Sequence, residues 1–453
     1  LKVIIVGAGE VGYNIARRLS EEDHDVTVID RDPAMIRRLS ETLDIQYIQG
    51  QGSSPSVLIE AGLKDADILI AVTDSDEINI VACLFANAES KQTTKIARIR
   101  NREYLRHLDV LESGININLV INPESEVVKT VMTLLKVPGA SDVVDFAEGR
   151  VRLIGMNVKS NPALAGRKLQ DFRAEFKSLP FLIAAIIRGD KMIIPRGADM
   201  ILPNDFIYIV VEEASMAPVL EKFKIAHQQL KRIMVVGGGN LGAAIAERLD
   251  DGQYKAKIIE RNPTRCQRLA EVLNKVTVLN GDGTDKDLLK EENIQDTDAV
   301  IAVTGDEETN ILISLLAKEL GAKKTVTRIS KFGYIPLVTA IGIDTVVSPR
   351  LSAVSAILQH IRRGKVVSVA PLKGESAEAI EVVALETSQI VGKSLKDVKF
   401  PRGALLGAIV RGDKVIIPSG ESVVEPQDRL IIFSSREAIP AVEKYLTVRL
   451  EYF

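Results

Sequence analysis

Two short glycine-rich turns carry the residues best suited to chemistry. The first, Gly7-Ala8-Gly9-Glu10-Val11-Gly12, follows the apolar run Val3-Ile4-Ile5-Val6. The second, Gly237-Gly238-Gly239-Asn240-Leu241-Gly242, follows Ile233-Met234-Val235-Val236. In such a turn one glycine permits a sharp strand-to-helix bend, and the next lets backbone approach a pyrophosphate. The third lets helix and strand pack closely. The helix opening there offers unpaired N–H groups and a positive dipole end to phosphate oxygens. Each turn is followed, at the same distance, by an acid that closes an apolar run: Ile29-Asp30 and Ile259-Glu260. A carboxylate there accepts hydrogen bonds from ribose hydroxyls and disfavours a 2′-phosphate, so NAD is expected over NADP. Arg31 and Arg261 come next and soften that preference; solvated or phosphate-contacting positions are expected for both.

Further pairs complete the two candidate sites. Gly50-Gln51-Gly52-Ser53 and Gly281-Asp282-Gly283-Thr284 fall where the loop after a third strand lies, near an adenine. Thr73-Asp74 and Thr304-Gly305 end the fourth strand and face the same crevice. Arg98 and Arg328 sit in the fifth strand, where a guanidinium suits bidentate phosphate contact; a surface ion pair is the plainer alternative. The binding set in the first half is thus Gly7, Ala8, Gly9, Glu10, Val11, Asp30, Arg31, Gly52, Thr73, Asp74 and Arg98. In the second half it is Gly237, Gly238, Gly239, Asn240, Leu241, Glu260, Arg261, Thr304 and Arg328. The halves differ at Glu10 against Asn240 and at Asp74 against Gly305. Unequal sites are expected, the second taking another ligand or none.

The elements that must hold these residues are legible as alternation. Short Val/Ile-rich runs such as Ile68-Leu69-Ile70-Ala71-Val72 and Lys95-Ile96-Ala97-Arg98-Ile99 alternate with helical stretches. That pattern predicts an α/β architecture, a doubly wound parallel sheet with helices on both faces. Asp67 to Thr73 recurs as Asp298 to Thr304, Asn79 as Asn310, and Arg98 as Arg328. The segments after each Rossmann-like unit also repeat, with a shorter spacing. Arg188-Gly189-Asp190-Lys191 with Ile193-Ile194-Pro195 matches Arg411-Gly412-Asp413-Lys414 with Ile416-Ile417-Pro418. Gly-Asp between β-branched runs signals a hairpin, so these modules are expected to be small α+β units. The expected order is two Rossmann-like modules, 1–139 and 231–362, each followed by a small module, 140–225 and 363–453. Pro138-Gly139 and Arg362-Arg363-Gly364 serve as joints. A duplicated domain pair is implied, not a solenoid.

Composition narrows the functions. The chain has 453 residues, 26% charged, and a net charge of −3, so several domains and no nucleic-acid surface are expected. Cys83 and Cys266 share no metal spacing and read as reduced, packed thiols of a cytoplasmic protein. The longest apolar run, Phe181 to Ile187, is far short of the ~20 residues of a spanning helix. The chain opens directly on a strand with no signal peptide, so attachment at a membrane is expected to depend on another protein. Hydride transfer needs a positioned acid or base, yet none of His24, His107, His227 and His360 recurs at a repeat-equivalent position. Gly392-Lys393-Ser394 lacks the glycine a phosphate loop needs five residues earlier, where Thr387 stands. No catalytic set and no metal site are expected.

The paired glycine turns, VGAGEVG followed by VID, and the repeated RGD-K-x-IIP hairpins resemble the TrkA family. These are the cytoplasmic regulatory subunits of bacterial Trk potassium-uptake systems, built from tandem RCK domains. The resemblance covers essentially the whole chain. It implies binding of NAD or NADH, or of ATP or ADP, and peripheral attachment at the inner membrane to an integral-membrane potassium-transporting subunit. It also implies assembly into a homo-oligomeric, tetrameric ring. The family's nucleotide contacts fall on Gly7 to Val11, Asp30, Thr73, Asp74 and Arg98, and on Gly237 to Leu241, Glu260 and Arg328. Gly305 departs from the acid expected there. An NAD-dependent oxidoreductase with a duplicated cofactor domain, and an RCK regulator of a different cation channel, are the alternatives.

Overall fold

The computed structural model describes residues 1–453 except 23, 138, 160, 177–178, 190, 226–229, 332, 344, 362–365, 373–376 and 447–453. Pro138, Asp190, His227 and the joint at 362–364, singled out above, lie outside the described residues.

The first module has six strands, β1 (Lys2–Val6), β2 (Asp25–Asp30), β3 (Gln46–Gln49), β4 (Ile68–Ala71), β5 (Thr94–Arg98) and β6 (Leu119–Ile121). They form one parallel sheet in the order β3-β2-β1-β4-β5-β6. Its helices are α1 (Glu10–Glu21), α2 (Pro33–Thr42), α3 (Pro55–Glu60), α4 (Asp76–Glu89), α5 (Arg102–Leu105) and α6 (Pro123–Lys136). Strand β4 is buried along its whole length, and β1 from Val3 onward. Both therefore read as unbroken apolar runs, as strands covered on two faces must. The chain builds outward from β1 to β3, then returns to place β4 on the other side of β1. A crevice opens at that reversal, beyond the carboxyl ends of the strands.

The small module that follows is antiparallel: β7 (Asp142–Phe146), β8 (Val151–Asn157), β9 (Phe181–Arg188), β10 (Lys191–Ile193) and β11 (Phe206–Glu212), ordered β10-β9-β11-β8-β7. Helices α7 (Leu169–Glu175) and α8 (Met216–Lys222) accompany it. The second parallel sheet repeats the first with β12 (Arg232–Val236), β13 (Lys255–Glu260), β14 (Thr277–Asn280), β15 (Ala299–Ala302), β16 (Thr325–Arg328) and β17 (Thr345–Val347). Its order, β14-β13-β12-β15-β16-β17, is the same topology. Helices α9 (Asn240–Leu249), α10 (Pro263–Val272), α11 (Lys286–Glu291), α12 (Glu307–Glu319), α13 (Tyr334–Ala340) and α14 (Pro349–Ile361) belong to this stretch of chain. A second antiparallel sheet closes the chain with β18 (Val366–Pro371), β19 (Ala377–Val383), β20 (Ala404–Arg411), β21 (Lys414–Ile416), β22 (Arg429–Ser435) and helix α15 (Ile439–Leu446). The α/β class with two doubly wound sheets, each followed by a small α+β module, is what the sequence predicts.

The chain folds into two compact units, residues 1–129 with 348–361, and residues 130–347 with 362–453. In the first, α14 packs on α1. Ala353, Val354, Ile357, Leu358 and Ile361 share one core with Val11, Ile15, Ala16 and Leu19. Burying the Val, Leu and Ile side chains of this set contributes on the order of 2 kcal/mol each before entropy is charged. Residues 348–361 thus follow the second sheet in sequence and join the first in space. In the second unit the two small sheets share a core in which Leu153, Ala185 and Tyr208 meet Ala379, Ile431 and Phe433.

The repeated Arg-Gly-Asp hairpins are β9–β10 and β20–β21, and both glycines take positive φ. Their arginines act as clamps. Arg188 donates from Nε and a terminal nitrogen to the two oxygens of buried Asp205, at 2.9 and 2.8 Å. Arg411 does the same to Asp428 at 2.9 and 2.8 Å. The Gly392-Lys393-Ser394 stretch ties its own module together, with Gly392 N–H donating to Val424 and Ser394 Oγ to Gly420.

Candidate functional site

The first glycine turn is shaped by contacts that exclude side chains. Gly7 has φ +107°, and a Cβ on it would lie 2.9 Å from the Thr73 nitrogen. A Cβ on Gly12 would lie 1.8 Å from the Gly7 carbonyl oxygen, so α1 can seat against β1 only with glycine there. Gly9 is different: a Cβ there would meet nothing within 4 Å. It is the N-cap of α1 and supplies no side-chain cap. Helices α2, α4, α10 and α12, by contrast, are closed by Asp32, Ser75, Asn262 and Asp306. The first turn of α1 therefore opens its N–H groups onto space a ligand can fill.

That space is a cleft of about 670 Å³. Of the first-half candidates, Gly7, Gly9, Glu10, Val11, Asp30, Arg31, Gly52, Thr73, Asp74 and Arg98 line it. Ala8 is buried and takes part through its backbone. Its N–H donates to Asp30 Oδ2 at 2.6 Å, and Asp32 N–H donates to Asp30 Oδ1 at 2.8 Å. Asp30 thus holds the glycine turn in place, with lone pairs remaining for ribose hydroxyls. Glu10 is paired with Arg38 at 2.7 Å, and that guanidinium lies over the Tyr13 ring. Gly52 packs tightly as well as lining the cleft: a Cβ there would come 2.1 Å from Val6 Cγ1.

The far wall is set by β4 and β5. Arg98, buried, donates to the Thr73 carbonyl at 2.9 Å and to Asp74 Oδ1 at 2.7 Å. Its Nε is buried without a hydrogen-bond partner among the described residues. Arg100 donates to the Asp74 carbonyl. The hydrogen bond from Arg98, aided by the charges of Arg98, Arg100 and Arg350, holds the Asp74 carboxyl below its ordinary value. Burial depresses the Arg98 guanidinium, and Asp74 partly restores it. Asp76 accepts from the backbone N–H of Arg100 and Asn101 at 2.9 and 2.7 Å. Buried Asn79 accepts from Thr73 N–H and Oγ1, and donates to the Thr73 and Arg98 carbonyls. It pins the ends of β4 and β5 together.

The second turn repeats the backbone and changes the side chains. Gly237 has φ +108°, with a Cβ 2.8 Å from the Thr304 nitrogen, and Gly239 again faces open space. Glu260 Oε2 accepts from Gly238 N–H at 2.6 Å and Oε1 from Asn262 N–H at 2.7 Å. Buried Leu241 and exposed Asn240 begin α9; Arg261 is exposed, and its charge helps lower the Asp282 carboxyl after that group's bonds to Thr284. Asn310 makes the bonds to Thr304 that Asn79 makes to Thr73. Arg328 donates to the Thr304 carbonyl at 3.1 Å, and Gly305 offers it no acid. Sequence reasoning did not single out Arg100, Asp76 or Arg350. Asn79 was visible as a recurring residue, but its polar pinning role was not.

Two parallel sheets with glycine turns, each followed by a small antiparallel module, define a tandem RCK-type protein. The TrkA-N domain family matches residues 3–123 and 233–349, and the TrkA-C domain family matches 153–224 and 379–447. The Trk system potassium uptake protein TrkA of Halomonas elongata is 38% identical over all of both chains. That of Haemophilus influenzae is 39% identical over 98% of each, and TrkA homolog 1 of Methanosarcina mazei is 40% identical over 98% of this chain and 100% of its own. The chain belongs to the TrkA family of Trk-system potassium uptake proteins. Among solved structures, the GsuK RCK domain superposes with a TM-score of 0.61 at 19% identity, covering 98% of this chain and 94% of that one. The GsuK channel bound to NAD gives 0.60 at 18%, over 98% and 78%. These likenesses bear on the fold. Among the described residues no helix is long and apolar enough to cross a membrane.

Proposed function

We propose that this chain is a nucleotide-responsive, non-enzymatic regulatory subunit of a Trk-type potassium-uptake system. The observation that carries the reading is the convergence on one cleft of an uncapped helix start, open space at Gly9, Asp30 and Arg98. Those groups suit an adenine nucleotide: Asp30 for the ribose, Gly9 to Val11 for the pyrophosphate, and Thr73, Asp74 and Arg98 for what lies beyond. The cradle at Gly9, which a Cβ would fill, fits NAD or NADH and ATP or ADP alike. The equivalent set around Gly237 to Leu241, Glu260, Arg261, Thr304 and Arg328 is a second, unequal site. The charged groups of the first cleft are engaged with one another, as in Glu10–Arg38 and Arg98–Asp74, which favours binding over proton transfer.

In this reading the modules are 1–139, 140–225, 231–362 and 363–453, and four chains form a ring on the cytoplasmic face of the inner membrane. The ring presses on an integral-membrane potassium-transporting subunit. A nucleotide shifts the ring only by its differential affinity for two arrangements, typically about 1–3 kcal/mol per coupled site. The test is potassium flux through vesicles holding the transporting subunit and this chain. Flux should change when NADH, NAD, ATP or ADP is added, and flux indifferent to all four would overturn the proposal.

A further inference from the structure

Helix α14 brings a side chain to the first cleft from the far half of the sequence. Arg350, its second residue, lines the cleft together with Gly9, Asp30, Asp74 and Arg98. The helix is held there by the apolar face it buries against α1. Its charge is felt at Asp74, with those of Arg98 and Arg100.

The sheet order fixes which part of a ligand such a residue meets. Asp30 ends β2, on one side of β1, and the glycine turn ends β1 itself. Asp74 follows β4 and Arg98 ends β5, on the opposite side. An adenosine held at Asp30 and a pyrophosphate held at Gly9 to Val11 leave the next group over β4 and β5. Three guanidinium groups gather there, around an exposed Asp74. The neighbouring acid, Asp76, accepts two backbone N–H groups on Oδ2, while its Oδ1 is buried without a hydrogen-bond partner among the described residues and its charge is felt at Arg98. Elsewhere in the cleft Glu10 pairs with Arg38, Asp30 accepts two N–H groups, and Asp32 caps α2. At the β4–β5 end three guanidinium groups thus face two carboxylates, Asp74 and Asp76, while Arg31 is the cleft cation beside Asp30.

We infer that Arg350 is a specificity residue for a third phosphate, so that the first cleft distinguishes a nucleoside triphosphate from a diphosphate or a dinucleotide. The inference rests on the nucleotide reading of this cleft. A terminal phosphate carries charge to the arginines, whereas a nicotinamide riboside in that position carries none to satisfy a guanidinium fork. The helix bearing Arg350 is entered from residue 347 and left at residue 362, both in the other unit, so a ligand gripping it acts on chain continuous with that unit. The first half has Pro123-Glu124 where the second has Pro349-Arg350, after the matching strands β6 and β17. The feature is therefore not a relic of duplication.

The test is calorimetric titration of the full chain and of its Arg350→Ala and Arg350→Lys variants with ATP, ADP and NADH. Arg350→Ala should weaken ATP by about tenfold or more, the size of one charge-assisted hydrogen bond, with Arg350→Lys intermediate. ADP and NADH should stay within about threefold. Unchanged ATP affinity, or equal loss for all three ligands, would overturn the inference. An unsubstituted chain that binds none of the three would overturn the nucleotide reading itself, and this inference with it.

Discussion

In the first module an aspartate reaches the backbone N–H groups of Ala8 and Asp32; in the second a glutamate reaches those of Gly238 and Asn262. The glutamate is one methylene longer, yet the bonds are the same length within 0.1 Å. The compensation lies in the turn. A Cβ on Gly238 would sit 2.8 Å from Leu269 Cδ1 and 3.0 Å from both Cβ and Cγ of Glu260, so the space that takes the methyl group of Ala8 is filled in the second turn by Glu260 and Leu269 together. One carbon has moved from turn to acid, and the architecture of the site has survived. At the far wall no ion pair among the described residues compensates: Arg98 has Asp74, while Arg328 faces Gly305. The two small modules, by contrast, keep their Arg–Asp clamps with matching distances. The duplication has diverged along the walls of the two glycine-turn sites and stayed constant at the Arg–Asp clamps inside the small modules.

The largest effect expected is at the clamps. Arg188→Ala and Arg411→Ala each leave a buried aspartate with a backbone N–H in place of its guanidinium fork and should cost about 2–4 kcal/mol in urea unfolding, Arg411→Ala the larger by less than about 1 kcal/mol through its exposed partner Glu425. A large inequality would break the claim that the small modules are equivalent. Next comes the exchanged carbon. Gly238→Ala should destabilise by about 1–3 kcal/mol through overpacking, and Glu260→Asp in the same chain should recover only the part due to Glu260, the contact with Leu269 remaining. Additive losses would show that the two positions do not share a space.

Smaller effects sharpen the far-wall contrast. The Asp74 carboxyl is held below the usual aspartate value near 3.9, so its contribution is complete above about pH 4 and is lost as pH falls through its lower folded value. The stability margin of the native chain over Asp74→Asn should be flat from about pH 5 to 7 and shrink below about pH 4. A margin that grows on acidification would contradict the pairing. Smallest of all, Gly305→Asp should give Arg328 a partner worth less than about 1 kcal/mol at an exposed position. A gain well above that, or a clear loss, would mean the second wall is not built like the first.

Much of the site was legible because its demands are local. Gly7 and Gly12 answer steric limits within a few residues, and Asp30 ends an apolar strand at the distance the motif requires. The repeat exposed the strands in pairs, so β15 and β16 were as clear as β4 and β5. The allegiance of α14 was not legible. Its apolar positions, 353, 354, 357, 358 and 361, announce a buried face but not the surface that covers it. Arg350 was hidden with it, since its relation to the cleft depends on that packing alone. The hairpin arginines were seen as turn markers, while the residue each one clamps lies beyond the hairpin in the chain.

The central claim is that the first cleft binds a nucleotide, and Gly9 offers the cleanest test of it. A Cβ there would meet no neighbouring atom within 4 Å, so Gly9→Val projects into the cradle and Gly239→Val does the same in the second half, with an unchanged melting temperature as the check that each fold holds. The measurement is calorimetric titration of the full chain and both variants with NADH, NAD, ATP and ADP. The account predicts that Gly9→Val removes the first-cleft component of the binding isotherm, whereas Gly239→Val leaves that component in place. Binding that survives Gly9→Val intact would contradict it.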